Sequence, residues 1–545
     1  MRNFIGQAML LLSLMCCGSL AMAEDSGASS PIVTVASLES LGQQLITANY
    51  SEKKALASTI AAVDDPKTLP LLQTLLDGQL YYLKETNELL ISHDDDSFED
   101  LFTSSLVVLD SPRDAKKIGV NNSLRGVLRT EISRLQISAR DPQLRMAAAR
   151  NLLKSASDLD STLLKEAIKK EEKRDIAEVL AIVLGMQQLD SPDADTRMQG
   201  LEALDKALYP EVRAALTQFI VRSESAGHAN EVARANAVVT DIEKLVTING
   251  YIENLYFGLA LGAVLLLAAI GLAITFGVMG VINMAHGEMI MLGAYTTYVV
   301  QQLMPDHIGL SLVVAIPAAF LVSGVVGVAI ERGVIRHLYG RPLETLLATF
   351  GLSLVLQQAV RSIFSPLNRE VATPDWMAGT FMINPALELT FNRLYIIIFS
   401  LLVLGLLALV LKRTLFGLQM RAVTMNRPMA SSMGIRTGWV DALTFGLGSG
   451  IAGIAGVALS QLTNVGPNLG QAYIIDSFMV VVFGGVGNLW GTLVGAMSLG
   501  IANKLVEPFA GAVLAKIFIL IFIILFIQKR PRGLFALKGR AADNG

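Results

Sequence analysis

Two hydrophobic patterns divide the chain. Between Glu24 and Gly250 apolar residues recur three and four positions apart, as in Leu71–Leu83, Leu144–Leu153, Ile176–Leu184 and Val212–Ile220, and glycines are few. That spacing predicts amphipathic helices with one buried face each. Turn chemistry interrupts the pattern at Asp65-Pro66, Asp110-Ser111-Pro112, Asp141-Pro142, Asp190-Ser191-Pro192 and Tyr209-Pro210. Aspartate there caps a following helix, and proline cannot continue a preceding one. From Leu255 to Ile527 the pattern changes to long apolar runs with charges confined to the gaps between them. A membrane span needs about 20 apolar residues. Leu255–Gly277, Gly309–Ile330, Leu343–Ile363, Leu394–Leu411, Trp439–Gln461 and Ala512–Ile527 meet that length or come close to it. The stretch "GVINMAHGEMIMLGAY" (Gly280–Tyr295) opens a further crossing, firmest over Met289–Val300. Tyr473–Ile501, interrupted by "FGGVGNLWG", is too long for one simple span and short for two full ones.

Three helices of the first half open alike, as "DPQLRMAAARNLL", "DADTRMQGLEAL" and "YPEVRAALTQFI". Each carries an early arginine, Arg145, Arg197 or Arg213. This resembles the helix pairs of HEAT-type solenoids. The expected architecture is therefore all-α: an exported, HEAT-like helical domain over 24–250, then a polytopic membrane domain over 251–545 with about eight or nine spans.

Charge sets the expected sides. Met1–Ala23 shows Arg2, an apolar run through Ala8–Leu14, and Ala21-Met22-Ala23 before Glu24. That is the order of a secretory signal peptide, so residues from Glu24 onward should be exported to the periplasm. Lysine and arginine cluster in Arg332–Arg341, in the loop 412–438 and in the tail 529–545, which places these on the cytoplasmic side of a bacterial inner membrane. Alternation of the spans then requires Tyr473–Ile501 to cross an even number of times, as two short spans or a re-entrant hairpin.

Composition removes some function classes. The 545 residues are 52% hydrophobic, with a mean hydropathy of +0.51 and a formal charge of -3. No basic, aromatic-interleaved patch suggests nucleic acid. The two cysteines, Cys16 and Cys17, are adjacent and build no disulfide framework. No nucleophile–base pair or metal cluster appears, so the chain reads as non-catalytic, with no cofactor of its own.

Polar residues inside apolar runs are the candidate functional positions, because they cost free energy there unless protein or a water-filled path satisfies them. Glycine-interrupted segments mark such paths. Asn283, His286, Glu288 and Asn488 sit at breaks, while Ser353 and Gln357 lie in the fourth span. These six are the candidate path residues. Asn283 and Asn488 are expected nearest the solute, and His286 and Glu288 either line the path or tie down a cytoplasmic turn. The loop 412–438 is basic and carries an apolar set within "TLFGLQMRAVTMNRPMASSMGIRTG". It suits a cytoplasmic partner, and Gly417, Met420, Arg421, Met433 and Gly434 are its candidate contact residues. The chain has no G-x-x-x-x-G-K-[ST] phosphate loop, so energy must come from another subunit.

The region from Leu255 to Arg540 resembles the membrane subunit of branched-chain amino acid type ABC importers. "GVMGVINMAHGEMIMLGAY", "ERGVIRHLYGRPLETLLATFGLSLVLQ", "GLQMRAVTMNRPMASSMGI", "FGLGSGIAGIAGVAL" and "KRPRGLF" carry the likeness. Within that family, "NVGPNLGQAYIIDSFMVVVFGGVGNLWGTLVGA" and "QKRPRGLFALKGR" are similar to urea permeases. The resemblance implies a second homologous permease subunit, two ATPase subunits using ATP and Mg, and a periplasmic solute-binding protein. It makes Gly417–Gly434 the coupling segment seated on the ATPase. The cargo it implies is urea or a similar small neutral solute, with branched-chain amino acids as the alternative. A membrane sensor or scaffold with a periplasmic helical domain is the reading from a different class.

Overall fold

The computed structural model describes residues 37–93, 97–107, 114–154 and 161–535. The signal-peptide segment, the Asp110-Ser111-Pro112 turn and the end of the tail lie outside the described residues. The chain divides into two compact units, the first ending at Gln187 and the second starting at Gln188.

In the first unit, α1 (Leu38–Thr47), α2 (Tyr50–Ala61) and α3 (Thr68–Asp77) precede a small sheet, and α4 (Asn122–Gln136), α5 (Pro142–Leu152), α6 (Ser161–Lys170) and α7 (Arg174–Gln188) follow it. Leu45, Ile60, Leu71, Leu75, Leu124 and Leu128 share one core. Helix starts follow the local chemistry. Asn49 and Glu52 form a reciprocal capping box at α2, and the Asp141 carboxylate accepts from the Gln143 N–H ahead of Pro142 at the start of α5. The sheet was not expected. Its strands, β1 (Leu80–Leu83), β2 (Leu89–Ser92), β3 (Phe98–Asp100), β4 (Leu106–Val107) and β5 (Ala115–Lys117), are antiparallel in the order β4-β3-β2-β1-β5. The helical spacing of Leu71–Leu83 ends at Gly78, whose φ of +72° closes α3 in the left-handed region. Beyond it "LYYL" pairs as a strand, as aromatic-rich segments favour.

Arg145 anchors α5. Its Nε and Nη2 donate to Glu171 at 2.7 and 2.9 Å, and its Nη1 donates to the carbonyls of Ala139 and Arg140. In the second unit, α8 (Ala194–Ala203) is tied in the same way. Arg197 donates through Nε and Nη2 to Glu231, and through Nη1 to the carbonyls of Ser191 and Pro192. The repeated arginine thus pins its own preceding turn and a glutamate further along the chain. In α9 (Pro210–Ser225) the pattern lapses, and the Arg213 Nε is buried without a hydrogen-bond partner.

Helix α10 (Ala229–Met279) runs unbroken through Gly250, so the border expected there is not a break in secondary structure. After it come α11 (His286–Leu303), α12 (Ile308–Gly333), α13 (Pro342–Phe364), a hairpin of β6 (Thr380–Asn384) and β7 (Leu387–Thr390), and α14 (Phe391–Arg413). The short α15 (Leu415–Met425) and α16 (Arg427–Ser432) lead to α17 (Thr437–Ser460), α18 (Leu469–Gly484) and α19 (Leu489–Lys529). Among the described residues, six helices are long and apolar enough to cross a membrane, with α11 and α18 as shorter partners.

α19 is two arms rather than one rod. Gly491 lies against Gly484 of α18, while the Phe526 ring lies 4.8 Å from that of Phe483. A straight helix would separate Gly491 from Phe526 by about 50 Å. The chain therefore reverses near Pro508 and Gly511, whose φ of 78° and ψ of 162° are not helical. α18 and the first arm run antiparallel, packed through Gly484 on Gly491 and Val480 on Gly495. Past the second arm, the N–H groups of Leu534 and Phe535 donate to the carbonyls of Phe483 and Gly484.

Small residues set the closest crossings. Gly293 of α11 meets Gly453 of α17, Gly456 meets the Ile290 carbonyl, and Gly258 and Gly262 of α10 meet the Met497–Ile501 region of α19. In lipid, where apolar burial does not separate helix from solvent, such close contact drives association.

The crossing of α11 and α17 can be tested by substitution. Gly293→Leu places its side chain in the backbone of Gly453 and should remove most folded protein from membranes, since overpacking costs about 1–3 kcal/mol or more. Gly351→Leu, where a Cβ meets nothing within 4 Å, should leave yield unchanged. Equal yields in fluorescence-detected size exclusion would refute the close crossing. A second prediction concerns acid. Hydrogen bonds from Arg145 hold the Glu171 carboxyl below its ordinary value of 4.5. The stabilisation is complete above that value and lost as pH falls through the depressed one. The melting-temperature gap between wild type and Glu171→Gln should be clear at neutral pH and close as pH falls below the ordinary carboxyl value. A gap independent of pH contradicts it.

Candidate functional site

The site begins where α10 stops. Gly280, at φ +66°, caps α10 in the left-handed region, and the chain turns back into the bundle over Val281–Ala285. The Asn283 Oδ1 accepts from the Ala285 N–H at 3.0 Å, and the Met284 N–H donates to Thr349 Oγ1 of α13 at 3.1 Å. α11 then starts at His286, whose Nε2 lies 2.9 Å from the Ala268 carbonyl. Ala268 is about 16 Å along α10 from its end, so α11 starts within the bundle. Gly287 sits against Gly470 at the start of α18. Two helix N-termini therefore meet at the same depth.

One turn into α11, Glu288 Oε1 accepts from Ser353 Oγ at 2.9 Å and from Gln357 Nε2 at 2.7 Å. These side chains and those of Asn283 and His286 are each at most 3% exposed. Glu288 Oε2, Asn283 Nδ2 and His286 Nδ1 are buried with no hydrogen-bond partner. A buried group in that state is costly, so each of these atoms is a place where a polar solute or water gains a bond. The α13 side is a polar stripe, Thr345, Thr349, Ser353 and Gln357, spaced by four and buried. The opposite face of α13 carries the exposed Leu343, Leu347, Leu354 and Val355.

The structure therefore brings Glu288, Ser353 and Gln357 into one cluster, with Asn283 and His286 on the same broken segment. Glu288 and His286 lie within the bundle rather than at a cytoplasmic turn. Gly287 belongs to the first turn of α11. Asn488 is not part of the cluster. It caps α19, accepting from the N–H groups of Trp490 and Gly491, and its Nδ2 lies 3.4 Å from the Phe535 carbonyl. Sequence reading missed Tyr295, seven residues beyond Glu288 on the same face of α11. Its hydroxyl is buried without a partner, and its ring lies 4.8 Å from Phe364 of α13. The seven-residue spacing from Glu288 was the available signal.

The 412–438 region forms the other candidate surface. Gly417 packs on the Leu411 backbone, Met420 is buried at 3% exposure, and Arg421 Nη1 donates to the Leu411 carbonyl at 2.5 Å. These three therefore hold α15 against α14. The residues presented outward are Leu418, Met425, Met429 and Met433, with Gly434 exposed at φ +87°. Arg427 pairs with the buried Asp441 of α17 and stacks on Tyr339.

Comparison with known proteins covers this membrane region. The chain is 30% identical over 294 residues to the high-affinity branched-chain amino acid transport system permease protein BraD of Pseudomonas aeruginosa, spanning 52% of this chain and 95% of that protein. Identity and coverage are the same for the LivH permease proteins of that system in Escherichia coli K12 and Salmonella typhimurium. No solved structure matches the chain. The family model described as branched-chain amino acid transport system / permease component matches residues 254–527. That match takes in α11, α13, α18 and the whole buried cluster, and the chain belongs to this family of permease components.

Proposed function

We propose that this chain is the membrane-spanning subunit of an ABC importer in a bacterial inner membrane. Branched-chain amino acids are the cargo class favoured by the names of its relatives. The observation that carries the reading is the buried Glu288–Ser353–Gln357 cluster beside a helix that starts within the bundle. A second homologous permease subunit, two cytoplasmic ATPase subunits using ATP and Mg, and a periplasmic solute-binding protein complete the machine. The arginine-rich end of the bundle lies in the cytoplasm with the C-terminal tail, and the first unit lies in the periplasm.

A second reading is urea. The unpaired groups along the broken segment are a carboxylate oxygen, an amide N–H and an imidazole nitrogen. Urea offers NH₂ donors and a carbonyl acceptor to such a set, with no apolar side chain to house.

Uptake of labelled leucine and labelled urea, in cells lacking the gene and complemented with variants, tests both readings. Gln357→Leu and Glu288→Gln should each lower uptake of the true cargo about tenfold at unchanged protein level, the scale of a buried group left unpaired. Wild-type uptake by both variants would remove the cluster from the path. Restoration of urea but not leucine uptake would select the second reading.

The coupling surface makes a separate prediction. Met429→Asp with Met433→Asp, both on the exposed face, should cut co-purification of the ATPase by tenfold or more, as expected when a charge enters a desolvated anchor site worth about 2 kcal/mol. Unchanged co-purification would place ATPase docking elsewhere.

A further inference from the structure

At the arginine-rich end of the bundle, a cleft of about 510 Å³ opens between the end of α12 and the start of α17. Arg332, Arg336 and Arg436 line it with Thr437, Gly438 and Trp439. The Arg332 guanidinium stacks 4.3 Å from the centre of the Trp439 ring. Stacking holds that group flat and leaves its N–H edge free to point elsewhere. Its Nε lies 3.8 Å from the Glu331 carboxylate, while its Nη2 is buried with no hydrogen-bond partner. Arg336 and Arg436 are exposed at the rim. α17, which spans 24 residues, starts in the same cleft, and its first turn receives no side-chain cap. An uncapped helix start, a stacked guanidinium with its Nη2 unpaired and two further arginines all favour one kind of guest, an anion with several acceptor oxygens.

The surface leading away from the cleft narrows the choice. On α12, Val325 and Leu321 lie seven and eleven residues before Arg332, on the same helical face, and both are more than 60% exposed. On α17, Leu443 lies one turn beyond Trp439 on its face and is also exposed. An apolar track therefore leaves the cleft along spans that sit in the membrane. Free phosphate uses the cleft and ignores the track; a phospholipid uses both.

We propose that this cleft is a binding site for an anionic phospholipid, with the phosphodiester headgroup held by Arg332, Arg336, Arg436 and the first turn of α17, and the acyl chains laid along Leu321, Val325 and Leu443. Tryptophan at the interface and basic pockets between spans suit such a lipid. The site is separate from the buried cluster and does not depend on which solute is carried.

Native mass spectrometry of the full chain, purified and offered phosphatidylglycerol, phosphatidylcholine or inorganic phosphate, tests the assignment. Wild type should retain phosphatidylglycerol over phosphatidylcholine. Arg336→Ala with Arg436→Ala, both exposed and remote from the core, should lower that retention about 25-fold, at about fivefold per arginine. Lys529→Ala with Arg530→Ala, which removes equal charge from the tail, should change it less than twofold. Val325→Asn, on the track alone, should weaken phosphatidylglycerol without altering binding of phosphate. Equal retention by the cleft and tail variants, saturation of the cleft by phosphate alone, or displacement of the lipid by a bound ATPase subunit would each overturn the proposal.

Discussion

α11 starts at His286, beside Ala268 and far from either end of α10. The first N–H groups of a helix have no intrahelical acceptor, and an apolar interior offers none. The segment before α11 answers this locally. The Asn283 side chain takes the Ala285 N–H, and the Ala285 carbonyl takes that of Glu288. Glu288 places its carboxylate in the first turn, where the positive end of the helix favours it. That carboxylate in turn engages Ser353 and Gln357, so the buried stripe of α13 is polar. Glycines follow from the same constraint: Gly287 and Gly470 let two helix starts approach until their backbones touch. The cluster is thus a single solution to one problem, with three polar atoms left over.

The arginine-rich end obeys different physics. There the arginines are half-buried or exposed, and they are used in different ways. Arg427 pairs with Asp441, Arg421 closes the end of α14, and Arg332 stacks on Trp439. The methionines between them remain outward. Flexible, polarisable side chains suit an adaptable surface.

Much of this was legible in the residues, because length and polarity alone define a span. The apolar runs, the broken segments and the polar residues at Glu288, Ser353 and Gln357 could all be named from the sequence. Their meeting could not, since it depends on how far the chain re-enters after Gly280. Asn488 looked equivalent to Asn283, yet its Nδ2 reaches the Phe535 carbonyl while that of Asn283 is buried without a partner. Met420 looked like a surface residue because short helices conceal which face is inward; Gly417 on Leu411 decides it. The small sheet escaped notice because its strands are two to four residues long in a region of helical spacing, too short for an alternation to register.

The reversal at Gly511 has a consequence for the order in which the bundle is made. The last carbonyls of α18, on Phe483 and Gly484, receive donors from Leu534 and Phe535. Those donors leave the ribosome only after both arms of α19. Until then these two carbonyls lack those donors. This clasp on the end of α18 can therefore close only after the second arm of α19 has been made.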